Sequence, residues 1–232
     1  KYYRKEHINY YIEKSPDELA LINYTSGTTG FSKGVMIPYR ALWSNEYFAE
    51  QVLGKVVKAG DSIISILHMY GMAFEFIFEF CKGCHVFYLT RVPSPAIIAQ
   101  AFSEVKPKII ISVPLVIEKI IRKKVFPKIQ NNRMRMLLHM PVVAKKVREK
   151  ICEQVSNAFG GEFYEVIIGG AAFNQEIEHF VHQIGFKYTV GYGATECAPI
   201  ICYSDYKDFV PGSCGRAVVN MQVEIDSPDP EN

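Results

Sequence analysis

The sequence has 232 residues, 49% of them hydrophobic and 22% charged, with a formal net charge of +2. That composition belongs to a globular chain able to bury a large core, and the near-neutral balance gives no general attraction to nucleic acid, which is excluded as a partner. No apolar run approaches the ~20 residues of a membrane span, and Lys1-Tyr2-Tyr3-Arg4-Lys5-Glu6-His7 holds no apolar signal core, so a cytoplasmic setting is expected.

Residues 1–18 are polar and end in the turn-rich Lys14-Ser15-Pro16-Asp17-Glu18. The apolar run Leu19-Ala20-Leu21-Ile22-Asn23-Tyr24 predicts a buried strand. Directly after it, Thr25-Ser26-Gly27-Thr28-Thr29-Gly30-Phe31-Ser32-Lys33-Gly34 is dense in glycines and hydroxyls. Glycines let successive backbone N–H groups turn toward one anion, the hydroxyls add donors, and Lys33 supplies a positive charge, so the loop is a candidate phosphate cradle. Hydrogen bonds to charged oxygens contribute roughly 1.5–3 kcal/mol each, enough for several of them to hold a polyphosphate. The order Lys33-Gly34 does not fit the Walker loop, which needs a Gly-Lys pair.

Gly34-Val35-Met36-Ile37 reads as extended, and a helix begins near Pro38 with apolar residues at helical spacing through Leu53. A short strand over residues 62–66 leads to a helix over 70–80, with Glu75 and Glu79 one turn apart, and then to the strand Val86-Phe87-Tyr88-Leu89. Between them, Cys81-Lys82-Gly83-Cys84-His85 spells a haem-attachment or redox pattern. With no second pair of ligands at zinc spacing, buried structural cysteines at a helix-to-strand turn are expected there instead. Helices over 93–105, 114–125, 142–159 and 174–184 alternate with strands over 107–113, 164–168 and 186–190. Such alternation predicts an α/β fold, a mostly parallel sheet flanked by helices, with ligands at the carboxyl ends of its strands. Two more glycine-rich segments fall after strands: Gly169-Gly170-Ala171-Ala172 and Gly191-Tyr192-Gly193-Ala194-Thr195-Glu196.

Together the hydroxyl-rich loop and these two segments resemble, in order, the signatures of the adenylate-forming superfamily of acyl-CoA synthetases, peptide-synthetase adenylation domains and luciferases. The resemblance runs from about Leu19 onward and implies ATP, Mg2+ and coenzyme A as ligands. It assigns the phosphates to Thr25, Ser26, Gly27, Thr28, Thr29 and Gly30 with Lys33. By the same resemblance Gly169, Gly170 and Ala171 line the adenine pocket with Gly191 and Gly193, Tyr192 stacks on the base, Thr195 contacts the α-phosphate and Glu196 binds magnesium. Catalytic roles are thus implied for Thr195, Glu196 and Lys33. Leu67-His68-Met69-Tyr70-Gly71 resembles the family segment whose histidine lies beside the acyl substrate, which makes His68 the substrate-binding candidate. A lone histidine beside an apolar helix is also a common packing residue.

Ser112-Val113-Pro114-Leu115-Val116-Ile117-Glu118-Lys119-Ile120 is similar to a strand-to-helix junction of long-chain acyl-CoA synthetases, which points to a fatty acid as substrate. Phe74, Phe76, Phe78 and Phe80 are candidates for an alkyl tunnel, with core packing as the simpler role. The basic run of Arg122, Lys123, Lys124, Lys128, Arg133 and Arg135 is a solvated face or a peripheral contact with anionic membrane. The expected organisation is the end of one α/β subdomain with the phosphate loop (1–42), a second with the adenine and acyl sites (43–200), and the start of a small β subdomain (201–232). The resemblance implies an excerpt of a long-chain acyl-CoA ligase without the family's terminal lysine domain. Alternatives are an enzyme that loads a carrier protein or makes another acyl-adenylate, and a non-catalytic nucleotide- or lipid-binding module.

Overall fold

The computed structural model describes residues 13–26, 32–65, 72–90, 92–129 and 141–226. At its start β1 (Leu19–Ser26) and β2 (Ser32–Pro38) form an antiparallel hairpin, with Thr25 opposite Lys33 and Ser26 opposite Ser32. Pro38 then caps α1 (Tyr39–Leu53). β3 (Ser62–Ser65) pairs in parallel with β4 (His85–Tyr88), and a π-helical turn (Met72–Ile77) running into α2 (Phe78–Lys82) precedes β4. α3 (Pro95–Val105) leads to β5 (Ile109–Ser112), whose neighbour Lys108 donates its N–H to the Ser62 carbonyl at 2.8 Å, setting β5 beside β3.

Beyond β5, α4 (Pro114–Ile120) continues through a π-helical stretch (Ile121–Val125) into α5 (Phe126–Ile129). α6 (Pro141–Ala158), β6 (Glu165–Ile168), α7 (Gln175–Gln183) and β7 (Tyr188–Val190) complete a parallel sheet ordered β5-β6-β7. α7 starts where the Asn174 side chain accepts the Ile177 N–H at 3.2 Å, an N-cap of the kind the sequence predicts. β8 (Tyr192–Gly193), β9 (Ile200–Tyr203) and β10 (Arg216–Ala217) close the fold as an antiparallel sheet ordered β10-β9-β8.

The core explains why the parallel strands are so short and so apolar. Successive side chains leave a strand on opposite faces. Accordingly Ile110, Val166 and Ile168 pack with Phe102, Val155 and Ile177 on one side, whereas Ile109, Ile111 and Ile167 pack with Phe48, Leu53 and Phe78 on the other. A strand covered on both faces needs an unbroken aliphatic run, and Ile109-Ile110-Ile111 is one. Each fully buried isoleucine contributes roughly 1.5–3 kcal/mol relative to exposure. β9 runs through residue 200, and Tyr203 and Val218 share the core of Phe48.

Three sequence expectations need correction. The run Leu19 to Tyr24 is a strand but not a buried one: Tyr24 is 71% exposed and Met36 66%, because among the described residues the hairpin pairs only with itself and buries one face around Ile37. For the same reason the hydroxyl-rich segment joins antiparallel strands and does not leave the parallel sheet. Cys81 is exposed and Cys84 only half-buried, although they stand as expected at a helix-to-strand turn, where Gly83 adopts φ 74°. Burial pushes the Cys84 thiol up to about 12, so it is not a reactive thiolate, and no trio of metal-binding side chains occurs among the described residues.

The phenylalanine series divides by helical geometry. Phe74 and Phe78, four apart, are buried, while Phe76 and Phe80 are exposed, the Phe76 ring lying 5.9 Å from Phe80 and 6.4 Å from Tyr88 between centroids. Arg122, Lys123 and Lys124 are exposed, with Arg122 3.5 Å from Glu176. The side chain of Lys128, with Arg133 and Arg135, lies outside the described residues. No helix among the described residues is long and apolar enough to cross a membrane.

At the start of β6, Glu165 is fully buried, accepting hydrogen bonds from the Tyr203 hydroxyl and, at 3.0 Å, from the Tyr206 N–H. Burial pushes its carboxyl from 4.5 up to about 7. The folded state therefore holds a proton that the unfolded chain releases over this interval, so stability falls as pH rises from 4.5 to about 7 and levels off above it. The effect amounts to at most about 3 kcal/mol. Thermal unfolding should show a melting temperature that declines toward neutral pH, and Glu165→Gln should flatten that decline; an identical slope in the variant would contradict the assignment.

Candidate functional site

The parallel ladder continues into both glycine-rich segments. Gly169 donates its N–H to Ser112 at 3.0 Å and Gly191 donates to Ile168 at 2.9 Å, so both glycines are held inside the sheet as it ends. Gly170 then turns the chain at φ 86°, a conformation that costs a side-chain-bearing residue roughly 1–2 kcal/mol. Residues 170–173 and 191–193 consequently face one another across a cavity of about 430 Å³. Gln175 and Glu178 of α7, Val190 and, as the last wall, the loop at 212–214 complete its lining. The volume suits a small organic ligand, the small side chains at 170–172 leave the backbone approachable, and the ring of Tyr192 is half exposed at the cavity.

Glu178 holds that last wall in place. It is 7% exposed, lies on α7, lines the cavity, and accepts the Gly212 N–H at 3.1 Å. Sequence reasoning missed Glu178, Phe173 and Cys214 as cavity residues. Glu178 looks like an ordinary polar residue near the start of a helix, and nothing local marks its partner 34 positions away.

Thr195 and Glu196 do not line the cavity. They follow it on a 3-10 turn (Thr195–Cys197) folded by three backbone hydrogen bonds, Ala194 to Pro199 at 2.9 Å, Cys197 to Ala194 at 2.9 Å and Ala198 to Thr195 at 3.2 Å. Ala198 sits at φ 63° and the Ala198–Pro199 peptide is cis. Glu196 is exposed and makes no hydrogen bond or ion pair with the described residues. Burial, then the neighbouring Glu196, raises the Cys197 thiol above its ordinary value.

β2 packs against this turn, and Ile37 and Ala198 form a small core with Leu21, Val35, Ala41 and Leu42. The arms carrying half-buried Thr25 and exposed Lys33 are thereby joined to the turn bearing Thr195 and Glu196. Ser26 ends β1. Gly27, Thr28, Thr29, Gly30 and His68 lie outside the described residues. The structure thus gathers Gly170, Ala171, Gly191, Tyr192 and Gly193 around one cavity, and sets Thr195 and Glu196 beside the hairpin.

A profile of the AMP-binding enzyme family matches residues 4–232. The chain belongs to that family. Among curated members, it is 25% identical over 236 residues to long-chain-fatty-acid–CoA ligase 1 of Saccharomyces cerevisiae, covering 90% of this chain and 33% of that protein. It is 27% identical over 267 residues to the chloroplastic long-chain-fatty-acid–[acyl-carrier-protein] ligase AEE15 of Arabidopsis thaliana, covering 93% of this chain and 36% of that protein. The chain therefore spans about a third of the length of these relatives. In fold it is similar to O-succinylbenzoate coenzyme A synthetase (MenE) of Bacillus subtilis, solved in complex with ATP and a magnesium ion. The TM-score is 0.67 at 17% identity, over 92% of this chain and 38% of that one.

Gly193 is the tightest backbone position of the family segment: a Cβ there would meet the Pro199 carbonyl oxygen at 2.3 Å. Gly193→Ala should force the 3-10 turn outward and cost about 1–3 kcal/mol, seen as a fall of several degrees in melting temperature. An unchanged melting temperature would show that this close approach does not exist.

Proposed function

We propose that this chain is the nucleotide-binding part of an ATP-dependent ligase that activates a carboxylic acid, with a long-chain fatty acid as substrate and coenzyme A as acceptor. What carries the reading is the juxtaposition just described, a base-sized cavity between two glycine-bearing strand ends, one of them continuing into an exposed carboxylate that packs beside the hairpin. Family membership and the naming of both curated relatives as long-chain fatty acid ligases support the substrate class.

In this reading the adenine lies against Gly170 and Ala171, stacked on Tyr192, with Gly169, Gly191 and Gly193 shaping the backbone around it. Thr25, Ser26, Gly27, Thr28, Thr29 and Gly30 bind the phosphates, and Lys33 offsets their charge. Thr195 donates its hydroxyl to the α-phosphate. A carboxylate oxygen of the substrate attacks the α-phosphorus, the bond to the bridging oxygen breaks, and pyrophosphate leaves with the electron pair. The coenzyme A thiol then attacks the acyl carbonyl as a thiolate, and AMP departs. His68 is assigned to the acyl side. The chain's contribution to the first step is orientation and charge stabilisation rather than covalent chemistry.

Glu196 fits a magnesium ligand on the chemistry of its donor set. It is a single hard oxygen donor on an exposed turn, with no cage of carboxylates among the described residues, and magnesium is commonly held by one or two carboxylates plus phosphate oxygens and water. Bound there, the ion would supply positive charge to the phosphates.

A second reading, transfer to an acyl carrier protein, is favoured by the Arabidopsis relative. Comparing AMP release with coenzyme A and with carrier protein separates the two. In the full-length protein Glu196→Gln should lower fatty-acid-dependent pyrophosphate–ATP exchange by about 100-fold, with the melting temperature unchanged. Exchange at the wild-type rate would refute the metal and phosphate assignments.

A further inference from the structure

Asn45 is buried in the middle of α1, at 3% exposure, and its side chain is spent entirely on backbone. The Oδ1 accepts the Ile200 N–H at 3.0 Å, while the Nδ2 donates to the Cys197 carbonyl at 3.2 Å and to the Ala41 carbonyl at 3.0 Å. The first two partners bracket the chain reversal that follows Glu196, the third lies in α1 itself. Among the described residues no other side chain hydrogen-bonds the backbone of residues 194–200.

α1 is a continuation of the hairpin. β2 ends at Pro38, α1 starts at Tyr39, and the first turn of α1 is tied back to the chain before β1, Tyr39 N–H to Glu18 at 3.1 Å and Arg40 N–H to Pro16 at 2.9 Å. Beside the apolar contact of Ile37 with Ala198, one amide therefore links the helix that continues the Lys33 hairpin to the chain on the far side of Glu196, across 152 and 155 positions of sequence. An asparagine is suited to this because it donates and accepts from one planar group.

We propose that Asn45 is a positioning residue: it sets the Thr195–Glu196 turn against the hairpin, and so governs affinity for the phosphate–magnesium portion of ATP while leaving base binding alone. The inference rests on the ATP–magnesium reading above. Losing the amide frees the turn to shift, and hydrogen bonds to a phosphate weaken steeply once donors leave their narrow range of distance and angle.

Calorimetric titration of ATP with and without magnesium, alongside NMR titration of adenosine, tests it. The wild type should bind ATP more tightly with magnesium. Asn45→Ala should reduce that enhancement about tenfold and leave adenosine affinity within about twofold. Val155→Ala, which opens the core on the opposite face of the parallel sheet, away from α1 and the turn, should lower the melting temperature yet keep the enhancement. If Asn45→Ala does not fold, Asn45→Ser reads the same quantity. A retained enhancement in the Asn45 variant overturns the proposal, as does an equal loss of adenosine binding or an equal loss in Val155→Ala. If Glu196→Gln removes the enhancement while the Asn45 variant keeps it, only this inference fails. If Glu196→Gln changes nothing, the ATP–magnesium reading falls and takes the inference with it.

Discussion

Parallel pairing of β5, β6 and β7 is the constraint on which the site depends. Strands that run the same way must return through a crossover, here α4 to α6 and then α7, so each strand delivers its carboxyl end to the same rim. Gly169 and Gly191 are for that reason neighbours in space. The ladder passes straight through them, Ser112 to Gly169 and Ile168 to Gly191, which leaves the following residues at the edge of a well-packed sheet. A binding surface built this way needs little ordering when a ligand arrives, because the sheet has already set its shape.

The rim serves two neighbourhoods. On one side residues 170–173 and 191–193 make a concave, mostly small-residue cavity with an aromatic ring at its edge, chemistry that suits a flat, weakly polar group. On the other the chain leaves the cavity, turns through Thr195–Cys197, and meets β2. Hydroxyl, carboxylate and lysine are the available functional groups there, which suits a charged polyphosphate better than a base. A nucleoside triphosphate has those two ends in that order, and the continuity of the chain from Tyr192 to Glu196 matches it.

Three buried acids lie outside the cavity lining. Glu165, Glu75 and Glu79 are all fully buried, away from the cavity lining, and burial drives the carboxyls of Glu165 and Glu79 up to about 7. Near neutral pH Glu165 and Glu79 are partly protonated, which relieves the cost of burying a charge. Perturbed acids often mark catalytic centres, but Glu165 is spoken for by Tyr203 and by the Tyr206 backbone, bonds that tie β6 to the end of β9. Glu165 is structural.

Local pattern by itself determined a good deal here. The aliphatic runs, the cap at Asn174 and the turn at Gly83 place strands and helices within a few residues, because periodicity and backbone sterics act over one or two turns of chain. The glycine-rich segments were legible too, since only small residues continue a sheet edge into so close a turn. Exposure was not: Leu19 to Tyr24 reads like Ile109 to Ile111, and what distinguishes the hairpin from the buried sheet is that, among the described residues, its strands have no second partner. Nor could spacing reveal that Glu178 holds Gly212, or that Asn45 grips the turn after Glu196. Those contacts arise when separate elements pack, and a hydrogen bond across more than a hundred residues leaves no trace in the residues on either side of it.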